Sequence, residues 1–339
     1  MSLPRLSSLS QLAALADRLP VADTQAAEAA RARQNSLTKP PGSLGRLEQI
    51  AEFMASWRGT ARPEIWKAQA LVFAGNHGIC AQRVNPYPQE VTAQMVANFR
   101  TGGAAINQLC AVNGADLSVI ALELERPTRD FTEAPAMDEL DCLDALWQGA
   151  AAVDASADIL ILGEMGIGNS TVAAALAAAC FGGPVAEWVG PGTGSDKAGL
   201  ARKVEVIERG LKRHGAALGD AGAILAALGG REQAAICGAV LAARAERIPV
   251  ILDGFICTAA AAVLHAADKR LLDHCLVGHV SAEPGHRKLL AAIHKRPVLE
   301  FEMRLGEGSG AALALGIVRS ALACHNGMAT FGEAGVSEG

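Results

Sequence analysis

The sequence has few aromatic side chains, with one tyrosine, four tryptophans and eight phenylalanines among 339 residues. It contains no cluster of basic residues with aromatics between them, and its net charge is −5. Nothing in this balance attracts nucleic acid or an anionic membrane. The most apolar stretch, residues 220–230, is too short to cross a bilayer and is interrupted by glycine. We therefore expect neither a nucleic-acid partner nor a membrane partner.

Signatures of metal and disulfide chemistry are also missing from the sequence. The eight cysteines stand far apart and form no C-x-x-C pair, which excludes a zinc ribbon and a dithiol motif. The eight histidines show neither H-x-x-x-H nor H-E-x-x-H spacing, so no metal site and no cofactor are predicted. The N-terminal stretch, residues 1–19, lacks the apolar core of a signal peptide and predicts an amphipathic helix. We expect a cytoplasmic protein with reduced, mostly buried cysteines.

Short apolar runs alternate along the chain with alanine-rich stretches of helical spacing. Buried apolar strands separated by helices are typical of a doubly wound, mostly parallel α/β sheet, which is the fold class predicted here. The predicted strands are 68–74, 117–122, 158–163, 248–253 and 275–280, and the clearest predicted helices are 92–114, 170–182 and 231–247.

The two ends of the chain are expected to differ from its middle. The first 60 residues and the last 35 or so have helical patterns without strands. We therefore predict a small helical domain from residues 1–60 together with 305–339, and a large α/β nucleotide-binding domain from residues 61–304. Length alone fits two domains or one large domain with a satellite.

Polar residues and glycines follow four of the predicted strands directly. In an open parallel sheet, the carboxyl ends of the strands share one edge, where ligands bind. The segments that follow the strands are 75–78, 164–171, 253–255 and 279–283. This pattern predicts a ligand site at that edge, although loops are polar in any case.

Two glycine loops are present, GEMGIGNST at 163–171, which lies between a predicted strand and a predicted helix, and GPGTGSDK at 190–197. The first is either a turn capped by its polar residues, with Asn169 as one candidate cap, or a cradle of backbone N–H groups for a phosphate. Neither matches the dinucleotide fingerprint, because Thr171 and Lys197 stand where a third glycine is required. No G-K-[ST] motif occurs either. The loops favour a nucleotide over a dinucleotide ligand.

Two charged residues each have two interpretations. Glu307 lies between Gly306 and Gly308, immediately before the apolar stretch 309–315. It is either a helix-start residue or a carboxylate directed at a ligand, and the helix dipole is expected to lower its pKa. Lys203 lies on a predicted helix, where it is either on a solvated face with pairs such as Glu205 to Arg209, or a cation for a phosphate.

Nine stretches, taken together and in order, resemble those of the nicotinate-nucleotide:5,6-dimethylbenzimidazole phosphoribosyltransferase family. The resemblance spans about residues 33 to 328. The stretches are KPPGSLGRLE (39–48), FAGNHGI (73–79), YPQEVTAQMV (87–96), GEMGIGNST (163–171), GPGTG (190–194), LARKVEVI (200–207), VILDGF (250–255), HVSAEPGH (279–286) and MRLGEGSGAALAL (303–315).

The resemblance implies a reaction and an assembly. Members of this family transfer the 5-phosphoribosyl group of nicotinate mononucleotide to 5,6-dimethylbenzimidazole. The products are α-ribazole 5′-phosphate and nicotinate, with inversion at C1′, for the lower ligand of cobalamin. The implied fold is a parallel α/β domain with a small helical domain, and the implied assembly is a homodimer. The two substrates are the expected small-molecule partners.

The resemblance also implies roles for individual residues. The family's catalytic residues fall on Glu307, Glu164 and Lys203. The two glycine loops and the GEGS segment are expected to bind the nucleotide and its phosphate, through Gly166, Ile167, Gly168, Asn169, Ser170, Gly192, Thr193, Gly194, Gly306, Gly308 and Ser309. The benzimidazole is expected to contact Asn76, His77, Tyr87, Gln94, Met95 and Leu305. Some relatives have Asp in place of Asn76 and a small residue in place of Tyr87, which leaves the preferred base open.

The residue types fit this chemistry. The pyridinium leaves as a neutral ring nitrogen, whereas the attacking benzimidazole must lose its N–H proton, so one carboxylate base is the main requirement. No pyrophosphate leaves, so no Mg²⁺ is required. Two alternatives stay open at this point: a non-catalytic nucleotide-binding regulator on a doubly wound sheet, and an NAD-dependent oxidoreductase, which the failed fingerprints disfavour.

Overall fold

A six-stranded sheet with all neighbouring strands parallel organises the part of the chain that the structure describes. The structure is a computed structural model that describes residues 3–192 and 194–337. The strand order is β2-β1-β3-β4-β5-β6. The strands are β1 (Ala68–Ala74), β2 (Ala115–Ala121), β3 (Ile159–Met165), β4 (Val250–Leu252), β5 (Cys275–His279) and β6 (Pro297–Leu299).

Helices connect the strands and cover the sheet. They are α1 (Thr24–Ser36), α2 (Arg46–Arg58), α3 (Glu90–Arg100), α4 (Ala105–Asn113), α5 (Glu139–Ala151), α6 (Asn169–Phe181), α7 (Lys197–Arg213), α8 (Ala221–Leu228), α9 (Arg231–Ala245), α10 (Phe255–Ala267), α11 (Pro284–Ala292), α12 (Ser309–Gly327) and α13 (Phe331–Ala334). Among the described residues, no helix is long and apolar enough to cross a membrane.

Alternate residues of each central strand point into two separate cores, one on each face of the sheet. In β1, Leu71 and Phe73 pack into the larger core, with α5, α6, α8, α9 and α10. Ala70 and Val72 pack into the other core, with α2, α4 and α12. Because successive side chains of a strand alternate between faces, an apolar strand covered on both faces reads as a continuous apolar run. The predicted doubly wound parallel α/β fold is confirmed.

Several predicted boundaries differ from the structure. The third strand continues through Glu164 and Met165, which were expected in the loop, because both pair with β1. Strand β6 was not predicted, since three half-buried residues give too weak a pattern. Strand β2 begins and β4 ends within two residues of the predicted limits.

Two helical predictions also need correction. The stretch 92–114 holds two helices, α3 and α4, because the sequence Thr101-Gly102-Gly103 interrupts the pattern and Gly102 has a left-handed φ of 83°. The N-terminal amphipathic stretch forms two short 3₁₀ segments, Leu9–Gln11 and Ala13–Asp17, in place of one α-helix. Its leucines are nevertheless buried in the larger core, so the apolar pattern correctly identified a packing face.

Helix α12, near the C-terminus, packs against helices from the N-terminal part of the chain. It packs against α2 and α4, and also against β3 and β5 of the sheet. Lys39 and Glu48, at the two ends of the KPPGSLGRLE stretch, form a buried ion pair of 2.7 Å that fixes the turn before α2. The division into domains at residues 60 and 305 stays a prediction, and α12 contacts both proposed parts.

Candidate active site

A cleft lies at the carboxyl ends of β3, β4 and β5, as predicted for a ligand site in an open parallel sheet. It encloses about 810 Å³, including space continuous with solvent. The loop after β3, the residues Gly192 and Ser195, and the segment before α12 form its walls. The residues that line it are Asn85, Pro86, Glu164–Ser170, Gly192, Ser195, Lys203, Asp253–Ile256, His279, Ser281, Glu283 and Arg304–Glu307.

Glu164 occupies the floor of the cleft, at the next-to-last position of β3, and is only 5 % exposed. The side-chain amide of Asn169 donates a hydrogen bond to its carboxylate. Asn169 is thus a helical residue that holds Glu164, and the N-cap position before it belongs to Gly168. Burial raises the pKa of Glu164 well above its usual range, and the charges of Asp253, Glu232 and Glu307 raise it further.

Glu307 adopts a backbone conformation that side chains other than glycine rarely adopt. Its φ is 65°, and Gly306 and Gly308 on either side each have a φ of 83°. The residue is 7 % exposed and lines the cleft. The prediction of a lowered pKa is wrong: burial, with the charge of Asp253, raises the pKa of Glu307 to about 7. Loss of hydration outweighs the dipole of α12 at this site.

Asp253 brings a third carboxylate to the same place. It follows β4, is 1 % exposed, and accepts hydrogen bonds from the backbone N–H groups of Gly308 and Ala311. Burial acts to raise its pKa, but the His279 ring, 3.5 Å away, and the backbone N–H donors prevail and lower it. In sequence, Glu164, Asp253 and Glu307 are isolated acids, and only the sheet topology brings them together.

Lys203 points into the cleft and not into solvent. Its side chain is buried, with the residue 2 % exposed, and its ammonium donates to Ser170 Oγ and to the carbonyl of Gly190, each at 3.2 Å. Burial lowers its pKa, while the charge of Glu283 acts in the opposite direction. The solvated-face interpretation is wrong for Lys203, although the expected pair of Glu205 and Arg209 forms on that face at 3.5 Å.

Glu283 belongs to the site, although its sequence motif gave it no role. Its carboxylate accepts a 2.9 Å hydrogen bond from the N–H of Gly192, and its second oxygen is buried without a hydrogen-bond partner in the described structure. Burial raises its pKa, while the Gly192 N–H and the charges of Lys203 and Arg304 act to lower it. The predicted phosphate ligand Thr193 lies outside the described residues. Gly194, next to it, has a φ of 126° and does not line the cleft.

The predicted base-binding residues divide into two groups. Leu305 lines the cleft and is half exposed, and Tyr87, also half exposed, follows the cleft residues Asn85 and Pro86. Of the other four, Asn76 donates a side-chain hydrogen bond to the carbonyl of Leu124, and the ring of His77 lies 3.0 Å from the carboxylate of Glu232. Gln94 is exposed, and Met95 packs in the smaller core. None of these four lines the cleft, so their proposed contact with the base stays a prediction.

The remaining predicted residues lie around the two glutamates. Gly166, Ile167, Gly168, Ser170, Gly192 and Gly306 line the cleft, and Gly308 and Ser309 form the start of α12 beneath it. Phe255, His279 and Ser281 also line the cleft, and they lie in the segments 253–255 and 279–283 that the sequence pattern predicted at this edge. Sequence reasoning missed Asn85, Ser195 and Arg304 as lining residues, because none of them directly follows a strand. Among the described residues, no group of three or more His, Cys, Asp or Glu side chains is arranged to hold a metal ion.

The fold and the cleft define a class of protein, an α/β protein with a ligand cleft of buried acidic residues and a buried lysine at the carboxyl edge of its sheet. The family model described as phosphoribosyltransferase matches residues 19–336. Two crystal structures of proteins from Thermus thermophilus are similar to this chain. The structure of CobT superposes on this chain with a TM-score of 0.88 and is 40% identical in sequence, and the match covers 93% of this chain and 100% of that chain. The second, the structure of a nicotinate-nucleotide-dimethylbenzimidazole phosphoribosyltransferase, has a TM-score of 0.87 and 39% identity, and the match covers 94% of this chain and 100% of that chain.

Curated relatives are similar over nearly the whole length. The nicotinate-nucleotide–dimethylbenzimidazole phosphoribosyltransferase of Rhodobacter capsulatus is 66% identical, over 98% of this chain and 99% of its own. That of Novosphingobium aromaticivorans is 59% identical, over 99% of each. The chain therefore belongs to the nicotinate-nucleotide–dimethylbenzimidazole phosphoribosyltransferase family. This membership favours a phosphoribosyltransferase over both the non-catalytic nucleotide-binding regulator and the NAD-dependent oxidoreductase.

Proposed function

We propose that this protein transfers the 5-phosphoribosyl group of nicotinate mononucleotide to 5,6-dimethylbenzimidazole. The observation that carries the proposal is the pair of buried glutamates, Glu164 and Glu307, in one cleft at the strand ends. A carboxylate with a pKa raised to about 7 suits a general base, because it is partly ionised at neutral pH and still holds a proton well.

The proposed transfer is a single displacement at C1′. The free ring nitrogen of the benzimidazole attacks C1′, and the bond from C1′ to the pyridinium nitrogen breaks. Its electron pair returns to the pyridine ring, which leaves as nicotinate. The attacking ring gains positive charge as the new bond forms, so its N–H becomes acidic and passes its proton to the Glu307 carboxylate. The products are α-ribazole 5′-phosphate and nicotinate, with inversion at C1′.

Glu164 and the glycine loops have supporting roles in this proposal. In this proposal the Glu164 carboxyl, held by Asn169, stabilises positive charge on the ribosyl carbon, and that developing charge in turn favours the ionised form of a carboxyl whose pKa burial raises. Lys203 and the N–H of Gly192, which Glu283 holds in the structure, bind the 5′-phosphate, as charged and oriented donors do. The leaving group carries no pyrophosphate, so the proposal includes neither a metal ion nor another cofactor.

The proposal also includes a quaternary state and a cellular location, both of which the family resemblance implies. We place the enzyme in the cytoplasm as a homodimer that contributes to the lower ligand of cobalamin. All eight cysteines are free thiols, which suits a reducing compartment. Light scattering on the eluted peak of a gel-filtration column measures the mass directly, and a species of the single-chain mass of 34.9 kDa would contradict the dimer.

The test of the reaction compares Glu307→Gln with Glu302→Gln. Glu302 lies in the same segment and also has a positive φ, of 53°, but it is exposed and does not line the cleft. With both substrates supplied, the wild type should release nicotinate and form ribazole phosphate. We expect Glu307→Gln to lower kcat by about 10²–10⁴-fold, the range for removal of a general base, and Glu302→Gln to leave it unchanged. A folded Glu307→Gln enzyme with wild-type kcat would remove Glu307 from the mechanism.

A further inference from the structure

Helix α12 has no capping side chain of its own, although it begins beside the proposed base. Its N-cap residue is Gly308, and the hydroxyl of Ser309 donates to the carbonyl of Gly306 and not to the helix N–H groups. The first N–H groups of any α-helix lack partners within the helix, and buried ones must find partners elsewhere. The start of α12 is buried, so its N–H groups need an acceptor from another part of the chain.

Asp253 supplies that acceptor from the end of β4. One oxygen of its carboxylate accepts from the N–H of Gly308 at 3.1 Å, and the other from the N–H of Ala311 at 2.9 Å. The two donors are 55 and 58 residues away along the chain. A carboxylate satisfies both donors at once, and its negative charge is favourable at a helix N-terminus. Asp253 therefore caps α12 from the sheet.

This cap lies next to the unusual backbone of Glu307. A left-handed conformation costs a residue with a side chain about 1–2 kcal/mol, so it persists only where the surroundings impose it. On one side, the peptide between Glu307 and Gly308 lies directly against Gly163 of β3. The approach is so close that a Cβ at position 163 would be only 2.5 Å from the N atom of Gly308 and 2.7 Å from the carbonyl carbon of Glu307. On the other side, the N–H of Gly308 is bound by Asp253.

We propose that Asp253 is a positioning residue for the transfer reaction, which binds the start of α12 and so holds Glu307 facing the cleft in its left-handed conformation. This inference rests on the proposed function, in which Glu307 accepts the proton. In this scheme Asp253 acts through the backbone of Gly308 and does not take the proton itself.

The charges around Asp253 support a second contribution of this residue, which is that its negative charge raises the pKa of Glu307. It faces His279 from β5, at 3.5 Å, and interacts electrostatically with Glu164 of β3, Cys257 of α10 and His286 of α11. Burial lowers the pKa of His286 to about 3, so this ring is neutral near pH 7 and does not offset the Asp253 charge. Because Asp253 stays ionised, its charge adds to burial in raising the pKa of Glu307.

The experiment separates the position of the carboxylate from its charge. Asp253→Asn keeps the shape but removes the charge and one acceptor, whereas Asp253→Glu keeps the charge and moves it by one methylene. Asp138→Asn is the matched control, because the Asp138 carboxylate also accepts from a backbone N–H at a helix start, that of Asp141 in α5, although as the N-cap of its own helix, and it does not line the cleft. Each variant is assayed for kcat, for KM of both substrates and for the pH dependence of kcat. Amide hydrogen exchange is followed at Gly308 and Ala311.

We expect both Asp253 variants to lower kcat by roughly 10²-fold, the size that a misplacement of about 1 Å can produce, with KM changed less than about threefold. The acid limb of the kcat profile should move to lower pH in Asp253→Asn and stay near pH 7 in Asp253→Glu. Exchange at Gly308 and Ala311 should accelerate in both variants, and Asp138→Asn should match the wild type.

Wild-type kcat and an unmoved acid limb in folded Asp253→Asn would overturn the inference. If that variant does not fold, Ala311→Pro carries the test, because it removes one donor without changing any charge and should lower kcat in the same direction. If the wild-type enzyme itself forms no ribazole phosphate, the proposed function fails. Exchange at Gly308 and Ala311 then still decides whether Asp253 fixes the start of α12.

Discussion

The backbone N–H of Gly192 donates a 2.9 Å hydrogen bond to the carboxylate of Glu283, at the place where the proposed phosphate site lies. The charge of Lys203 acts on the same carboxylate, so Glu283 engages a donor and a cation that would otherwise serve an anionic ligand. A carboxylate and a phosphate favour the same partners. If the nucleotide phosphate binds here as proposed, it must share or displace these contacts, so we expect Glu283 to weaken the binding of nicotinate mononucleotide.

We accordingly expect Glu283→Gln to lower KM for nicotinate mononucleotide by about 5–10-fold, roughly 1–1.4 kcal/mol, because a like charge is removed beside the phosphate. The amide carbonyl of the variant can still accept from Gly192. The assay is run at pH 8, since the pKa of Glu283 is raised by burial and the carboxylate must be ionised in the wild type. Glu187→Gln, which alters an exposed pair with Lys288, is the control. An increase in KM would contradict the competition.

Lys203→Ala should lower kcat/KM for the nucleotide by roughly 10²-fold, about 2.7 kcal/mol, because a buried cation next to the phosphate loop is lost. Lys212→Ala is a suitable control, since Lys212 lies on the same helix and is exposed. Steady-state kinetics with the nucleotide as the varied substrate make the comparison. Equal kinetics of the two variants would assign Lys203 a structural role only.

Glu307→Gln should raise thermal stability at pH 8 while it lowers activity. In the unfolded chain the glutamate has a pKa near 4.5, and in the folded protein the pKa is about 7. A raised acid pKa means that the native state binds more protons, so ionisation destabilises the fold as pH rises from about 4.5 to about 7. The cost is on the order of 3 kcal/mol above pH 7 and is absent below pH 4.5.

Melting curves of wild type and Glu307→Gln at pH 4.5 and pH 8 measure this difference. The two proteins should melt together at the lower pH and separate at the higher one, with the variant more stable. The exposed control Glu302→Gln should show no such separation. A variant that is less stable at pH 8 would mean that the Glu307 charge helps to hold the fold.

Tyr87→Ala should raise KM for 5,6-dimethylbenzimidazole and leave KM for the nucleotide unchanged. Tyr87 is 49% exposed and follows Asn85 and Pro86, which line the cleft, so its ring is free to cover a flat heterocycle. Loss of such a contact costs roughly 1 kcal/mol, about fivefold in KM. Trp66→Ala, at an exposed aromatic that does not line the cleft, is the control. Equal changes for both substrates would count against a base-specific role.

The sequence by itself determined the fold class and most of the loops that bear the site. Continuous apolar runs such as 68–74 require cover on both faces of a strand, and the structure provides it with two cores. The ordered glycine motifs identified the family, and Glu164, Lys203 and Glu307 were singled out by the motifs in which they lie. The same local patterns could not give helix type or exact ends, as the 3₁₀ segments near the N-terminus show.

Only the tertiary structure decided which of these residues meet and what their surroundings do to them. The local pattern predicts a helix at Lys203 but does not say which face of that helix is buried. In the structure, tertiary packing buries Lys203 against Ser170. The helix dipole alone predicted a lowered pKa for Glu307, whereas burial and the charge of Asp253 raise it to about 7. Desolvation and the distance between charges depend on contacts between residues far apart in the chain. Sequence spacing measures neither of them. The pKa of Glu307 is therefore decided by the packing of β3, β4 and the start of α12 side by side.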